Sequence, residues 1–449
     1  MRERIIAVIF EGGYPEHWIT RDLATLRAAV VMDNIAKLNL LPELDEVVLL
    51  TNYPHLAAQA KLLGVTLAEE DGEPFHFGRN IQRIVAQFKP DGVICMGGAA
   101  APFMSVEEFR QLAQNLRTNK SVVYTNNPQS ADIVAFTPAA SVLTVTPPET
   151  DNSLATVLRD QAGLARVLIP HSVGAHFDLD TPTDALVMAL SPHTGPRSRA
   201  CLAGLGWDVA RVQRAISRMS QPHCELGLIG RVNPAVMTQI NTHTFNRLRV
   251  FSEERGMKAL AREEQGKVIS LLGCFLEQVG AGQFFTYLAK VCDVCFIDTR
   301  VFFAHFKLQL TEEERFLSDL GQYEDIANPW VREFTRASVQ CEIPVILGGH
   351  SLVTGGMWAI IDILKREQAL STVGRVVHKF PISSGSPLAG LKLSSLSRLG
   401  VHGVTVVAVD APHGPVLDPA ADHVLQPCDV LHCVGSEAGM RALEKLLGT

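Results

Sequence analysis

The stretch IPVILGGHSLVTGGMWAIIDIL, residues 343–364, sets the reading of the fold. Ile343 to Leu347 is a short apolar β-type run, and Gly348 and Gly349 stop it. His350 and Ser351 follow, then Gly355 and Gly356. From Met357 the spacing of Ile360, Ile361 and Leu364 predicts a helix with one apolar face. A strand, a glycine loop and a helix start favour an anionic ligand, because glycine lets the backbone approach and free N–H groups attract negative charge. Gly348, Gly349, His350 and Ser351 are therefore candidate ligand-binding residues. The loop is neither GxxxxGK[ST] nor GxGxxG, so it specifies no particular nucleotide. The alternative reading is a tight strand-to-helix turn whose glycines supply positive φ.

Working outward, residues 223–370 alternate strands and helices. The runs 224–232, 247–252 and 293–303 read as strands, and 234–241, 266–290 and 329–340 as helices. This is a parallel-sheet pattern. Charged residues follow the strands: Arg231, then Glu253 and Arg255, then Asp298 and Arg300, then His350. In open α/β sheets ligands bind outside the carboxyl ends of strands. Arg231, Arg255 and Arg300 suit a carboxylate or phosphate. Glu253, Asp298 and His350 are the candidate acid–base groups. The competing role for such residues is helix capping and ion pairing.

Residues 1–190 alternate in the same way, with strands at 5–10, 47–51, 92–96, 122–124 and 133–136 and helices at 22–38, 77–88, 105–117 and from Pro182. Residues 191–222 read as a linker and packing helix. Three stretches, AVIFEGG (7–13), VICMGGAAAPFMSVEEF (93–109) and FDLDTPTDAL (177–186), make this part resemble the nucleotidyltransferase superfamily of sugar-nucleotide and molybdopterin-type transferases. The resemblance implies a nucleotide held with Mg2+ by Gly12, Gly13, Arg21, Gly97, Gly98 and Asp180. Two departures stand out. Gly13 is followed by YPEHWITRD rather than the basic G-x-x-x-R-M-G-x-x-K signature. Where the family places a metal-holding aspartate after a glycine, this chain has Met96-Gly97-Gly98. If the chain is an enzyme, it is a nucleotidyltransferase-like transferase of nucleotide or sugar-phosphate metabolism with an atypical site, drawing carboxylates from Asp178, Asp180 and Asp184. His76, Arg79 and Arg83 read as a loop entering an amphipathic helix.

From residue 374 to 449 the character changes to short strands flanked by glycine and proline. Gly385-Ser386-Pro387-Leu388-Ala389-Gly390, Leu393 and Leu396 in a helix expected around Leu393–Leu399, GVTVVAVD (403–410), Pro419, Ala421-Asp422 and VLQPCDVL (424–431) follow in order. Val434-Gly435-Ser436 leads into a last helix, Met440 to Leu447. This segment resembles the RCK C-terminal (TrkA-C-like) domain. The resemblance implies a dimerising regulatory module that binds small effectors and serves potassium and other cation transport, including docking on a membrane transporter. Cys428 stands where the family commonly has glycine.

The bulk numbers agree with this reading. The chain has 449 residues, 47% hydrophobic and 19% charged, with a formal charge of −7, which disfavours a nucleic-acid partner. No apolar run approaches the roughly 18–20 residues of a membrane span, and the initial apolar run is too short for a signal peptide. Nine scattered cysteines suit a reducing cytoplasm. The Cys292/Cys295 pair lies in strand-like sequence without a second pair at zinc spacing, so no metal site is expected. The expected architecture is two mostly parallel three-layer α/β domains followed by a small α+β domain.

Overall fold

The computed structural model describes residues 3–69, 74–128, 131–258, 260–373, 378–396, 399–411, 414–417, 419–435 and 437–447, with backbone alone at 367–373, 414, 415, 417 and 437. Parts of three sequence readings lie outside these residues: 70–73 before His76, 397–398 in the expected Leu393–Leu399 helix, and Ser436. The start of the C-terminal segment, 374–377, lies outside them as well. The chain divides into two compact units, Met1–Ile363 and Leu364–Thr449, with the boundary inside the helix Gly355–Val373.

The first unit contains two sheets. Strands β1 (Ile5–Phe10), β2 (Glu46–Leu50), β3 (Thr66–Ala68), β4 (Gly92–Gly97), β5 (Val122–Thr125), β6 (Ile133–Thr137) and β7 (Ala165–Leu168) form a seven-stranded sheet in the order β3-β2-β1-β4-β6-β5-β7. All its pairings are parallel except those of β6, which is antiparallel to both neighbours. β1 reads IIAVIF and is buried throughout, as a central strand covered on both faces must be. Ile5, Ala7 and Ile9 face Val31 and Ile35 of the helix Trp18–Leu38 and Phe109 and Leu112 of the helix Val106–Thr118. Ile6, Val8 and Phe10 face Ile81 and Ile84 of the helix Phe77–Phe88 and Leu158 of the helix Leu154–Ala162.

Strands β8 (Glu225–Gly230), β9 (Arg247–Ser252), β10 (Val294–Asp298) and β11 (Val345–Gly348) make a second, all-parallel sheet in the order β11-β10-β8-β9. Ile229, Cys295, Ile297 and Leu347 pack under Leu276, Phe284 and Phe285 of the helix Leu271–Val291 and Phe334 of the helix Pro329–Val339. The first of these helices starts at Leu271 rather than near residue 266, because the Ser270 hydroxyl accepts the Gly273 N–H at 2.9 Å and sets the N-cap there. It kinks at Gly280, where φ is 74°.

Residues 1–190 and 223–363, read from the sequence as parts of separate domains, lie in one compact unit. The intervening segment forms two helices, Pro196–Leu205 and Ala210–Met219. The first is anchored to the helix Trp18–Leu38. The buried Asp33 carboxylate accepts the Ser198 N–H at 2.9 Å, its hydroxyl at 2.8 Å and the Arg197 N–H at 3.1 Å, so an anion sits at a helix start.

The glycines of residues 348–356 correct the sequence reading. None has positive φ. They are glycines because the TPTD segment and its neighbours press on them. A Cβ on Gly349 would lie 2.9 Å from Thr181 Cγ2, one on Gly348 2.9 Å from Leu352 Cδ2 of its own loop and 3.3 Å from Thr183 Cβ, and one on Gly355 1.8 Å from the His176 carbonyl oxygen. The helix accordingly begins at Gly355, two residues before Met357.

The second unit is a four-stranded antiparallel sheet of β12 (His378–Pro381), β13 (Val404–Ala411), β14 (Gly414–Leu417) and β15 (Val430–Gly435), in the order β12-β15-β13-β14. Met440 and Leu443 of the helix Glu437–Leu447 join Phe380, Leu388, Leu425 and Leu431 in its core. Of the helix expected over Leu393–Leu399, the described residues show a 3-10 turn at Leu393–Ser395. Cys428 has φ 76° in the turn before β15. The family's usual glycine suits this conformation and cysteine does not. Among the described residues, no helix is long and apolar enough to cross a membrane.

Two substitutions follow from this backbone. Gly355→Ala should lower the urea unfolding stability of the first unit by about 2–3 kcal/mol, because the His176 carbonyl would have to move. Cys428→Gly should stabilise the second unit by about 0.5–1 kcal/mol, seen in the intact chain as slower hydrogen exchange of the β13–β15 ladder.

Candidate functional site

β1 and β4 of the first sheet, with β8, β10 and β11 of the second, end at one cavity of about 950 Å3. The carboxyl ends of parallel strands are where such sheets bind ligands. Residues 181–184 position the two sheets. Thr181 and Asp184 form a capping box at the start of the helix Pro182–Leu190. Asp184 Oδ2 accepts the Thr181 N–H and hydroxyl, each at 2.8 Å, while Oδ1 accepts the Ser351 hydroxyl at 2.6 Å. Thr183 donates to the Leu347 carbonyl at the end of β11 at 2.6 Å.

The first sheet contributes an acidic wall of Glu11, Asp132, Asp151, Asp178 and Asp180. The Glu11 side chain is wholly buried. Its Oε2 accepts from Arg27 Nη2 at 3.1 Å and Nε at 3.3 Å, while Oε1 has no partner. Gly98 makes room for it, since a Cβ there would sit 2.0 Å from Glu11 Oε2. Burial, and then the charge of Asp180, pushes Asp132 up to about 7, although Asn126 Nδ2 donates to it at 3.0 Å. Burial, Asp180 and Asp132 hold Asp178 well above the ordinary carboxylate range. Phe10, Phe75 and Phe77 add an aromatic flank, with the Phe10–Phe77 ring centroids 4.9 Å apart.

The second sheet contributes a cationic wall of Arg231, Lys258, Arg300 and Arg315, with His350 among them. Arg231 grips Asp298 through Nε at 2.5 Å and Nη2 at 3.0 Å. Arg300 grips Asp319 through two bonds of 2.6 Å. Both pairs are buried and bidentate, which fixes the guanidinium planes. Burial, and then Arg231, lowers His350 to about 4, so the ring is neutral near pH 7.

Of the residues proposed from sequence, Gly12, Gly13, Gly97, Gly98, Asp180, Arg231, Arg300, Gly349, His350 and Ser351 line the cavity. Arg21, Arg255, Gly348, Glu253 and Asp298 do not. Arg21 is exposed, and Arg27, 600° further round the same helix at 100° per residue, is the basic residue that reaches the site. Glu253 caps the helix Leu271–Val291, accepting the Ser270 hydroxyl at 2.6 Å and the Leu271 N–H at 2.7 Å. Asp298 is committed to Arg231 and acts behind it. Gly348 closes β11, its carbonyl accepting the Thr299 N–H at 3.0 Å. Glu11, Arg27, Asp132 and Asp151 are cavity residues that sequence reading did not select, whereas Arg315 belongs to the charged cluster that the sequence of the middle segment offers. Glu11 carries the strand-end signal used for the others. Asp132 precedes β6, and only the reversed direction of that strand brings its amino end to this face.

The acidic wall suits a hard divalent cation. Among the described residues no three carboxylates bring oxygens within 4.8 Å of one another. A cation here would draw on Asp178, Asp180 and ligand oxygens, as Mg2+ does when it is shared with phosphates. Cys274, Glu277 and His305 do cluster within that distance. His305 Nδ1, however, accepts the Ser270 N–H at 3.2 Å. The neutral ring then carries its proton on Nε2, the atom 3.5 Å from Glu277, and offers no lone pair there. The CxxC thiols lie buried over Gly227, and burial pushes Cys292 up to about 11.

Asp132 has a stability signature. With a folded pKa of about 7 against an ordinary 3.8, the native protein binds more protons than the unfolded chain between these values. Its contribution is present below about pH 4 and is lost as pH rises to about 7. Asp132→Asn should therefore unfold at a higher temperature than the parent at pH 8, and the gain should shrink at pH 5.

Residues 377–448 match the TrkA-C domain family. A search of curated proteins finds no match. Among solved structures, the RCK_C domain dimer of S. agalactiae BusR in complex with c-di-AMP is 19% identical, covering 16% of this chain and 95% of its own, with a TM-score of 0.15. A cytidylyltransferase from Leptospira borgpetersenii is 14% identical, covering 46% of this chain and 93% of its own, with a TM-score of 0.34. The 4-diphosphocytidyl-2C-methyl-D-erythritolsynthase from Anaerococcus prevotii is 14% identical, covering 45% and 96%, with a TM-score of 0.30. The chain thus carries a TrkA-C domain at residues 377–448.

Proposed function

We propose that this chain is a ligand-responsive cytoplasmic protein. Residues 1–363 take up a nucleotide or sugar phosphate with a divalent cation. The TrkA-C domain forms a homodimer and makes the state of that site felt, in the service of potassium or other cation transport. The observation that supports the ligand class is the pairing of walls in one cavity, carboxylates from the first sheet and guanidinium groups from the second. A phosphate ester with its cation satisfies both, since the cation draws on the carboxylates and the phosphate on the arginines. The flank of Phe10, Phe75 and Phe77 offers apolar contact to a base or sugar face. The TrkA-C family match supports the regulatory half and the transport setting.

A second reading, a nucleotidyltransferase-like enzyme with the TrkA-C domain as its allosteric or dimer module, is favoured by Asp178 and Asp180 lining the same cavity as Gly97 and Gly98, with Asp178 bridged to Ala100. When bound, Mg2+ would neutralise phosphate charge there. This chain's own contribution is orientation, by Arg231 and Arg300 held rigid on their aspartates. Asp298 and Asp319 are occupied by these ion pairs, and neutral His350 can donate or accept one hydrogen bond.

Thermal unfolding of the intact chain against ATP, CTP and UDP-glucose, with and without Mg2+, tests the ligand class. The expected result is a shift that grows with Mg2+ and is lost in Asp180→Asn. At about 100-fold the dissociation constant a ligand adds about 2.7 kcal/mol. If no nucleotide or sugar nucleotide shifts the midpoint under either condition, the reading is wrong.

A further inference from the structure

We propose that Arg315, with Lys258 beside the same cavity, forms a phosphate subsite on the second-sheet wall. This deepens the reading above and rests on it, because it assigns the phosphate of the ligand to particular side chains. Of the arginines that line the cavity, Arg27 is bound to Glu11, Arg231 to Asp298 and Arg300 to Asp319. Arg315 has no side-chain hydrogen bond or ion pair among the described residues. Its Nε is sealed from solvent without an acceptor. It lies on the helix Glu312–Leu320, whose next turn carries Asp319, so it stands near the Arg300–Asp319 pair. Glu312, one turn earlier on that helix, and Asp319 and Glu263 act on it electrostatically, but none forms an ion pair with it.

A guanidinium half withdrawn from water beside another cation, with its sealed Nε–H unfilled, is an unfavourable arrangement in the free protein. An anion that enters the cavity removes the penalty. Guanidinium donors match the oxygens of phosphate in pairs. Lys258 is exposed and forms no ion pair among the described residues, so two uncommitted cations line this wall. Their summed charge matches the roughly −1.5 to −2 of a phosphate monoester near neutral pH. The unpartnered Glu11 Oε1 on the opposite wall shows that the same cavity also lacks a donor or cation. Phosphate at Arg315 and a cation near Glu11 and Asp180 are therefore complementary halves of one ligand.

The test is calorimetric titration of the full chain with inorganic phosphate and pyrophosphate in the absence of divalent cations, for the parent, Arg315→Ala, Arg315→Lys, Lys258→Ala and Asp180→Asn. Arg315→Ala should bind pyrophosphate about tenfold or more weakly, Arg315→Lys should lie between it and the parent, and Lys258→Ala should lose about threefold. Asp180→Asn should bind phosphate no more weakly than the parent, because it lowers the negative charge of the cavity. Arg315→Ala should also unfold at the parent's temperature or above, since it deletes an unpaired cation. A structural residue would instead lower the midpoint. Lys258 is exposed, so its variant tests the subsite without depending on the fold. Unchanged phosphate affinity in both Arg315→Ala and Lys258→Ala overturns the subsite. If the parent binds nucleotide with Mg2+ but neither phosphate nor pyrophosphate, the subsite falls while the nucleotide reading stands. If the parent binds phosphate at Arg315 but no nucleotide, the subsite stands and the nucleotide reading falls.

Discussion

The carboxylate of Asp184 is the constraint on which the geometry of the first unit depends. It is completely buried and accepts hydrogen bonds from Thr181, which opens its own helix, and from Ser351, in the loop after β11. One side chain thus caps a helix that closes the first α/β half and ties that half to the second sheet. A buried carboxylate is tolerable only when its oxygens are filled. These hydrogen bonds, with the Thr183 hydroxyl on the Leu347 carbonyl, tie the register of the two halves by polar geometry. The glycines at 349 and 355 follow from it, because Thr181 and the His176 backbone occupy the space that side chains there would need.

This docking turns two ordinary strand-end surfaces into a cavity with opposed charge. Either sheet alone would present its strand-end charges to water. Brought together, carboxylates on the first sheet face arginines on the second, and the low-dielectric surroundings strengthen every interaction between them. The cationic wall is held by the buried pairs Arg231–Asp298 and Arg300–Asp319. Such pairs contribute little net stability but are costly to break. Their value here is rigidity: the guanidinium planes are set before any ligand arrives. His350 lies among these cations and is kept neutral by burial and by Arg231.

The C-terminal unit follows different physics. Its sheet is antiparallel and small, and one helix covers a single apolar core. The turn before β15 is tied on several sides. The Cys428 N–H donates to the Ile382 carbonyl at 2.8 Å, and the Gln426 N–H to the Asp429 carboxylate at 2.7 Å. These bonds hold Cys428 at positive φ despite its Cβ. The departure from glycine is accommodated as local strain, and the domain retains its family's pattern.

Much of this architecture was legible in the amino-acid sequence, for local reasons. The apolar runs of β1, β4, β8 and β10 identify buried parallel strands because both faces of each must be covered. The D-T-P-T-D segment announces a capped helix because the capping box is a contact between residues three apart. The ordered motif run after residue 385 identifies the C-terminal domain. The same strand-end logic placed Arg231, Arg300 and His350 at the cavity. Tertiary structure alone decided the rest. Whether a strand-end charge faces a ligand or a partner depends on what stands opposite. Asp298 and Glu253 differ from Arg231 in that respect and not in sequence context. Arg27 replaces Arg21 because helical phase sets which side chain turns inward. Asp132 joins the acidic wall because β6 runs backwards. The glycines of the opening stretch turned out to be shaped by a neighbouring segment more than 160 residues away in the chain, as the contacts of Thr183 and Asp184 across 164 and 167 residues record. No local pattern carries information of that range.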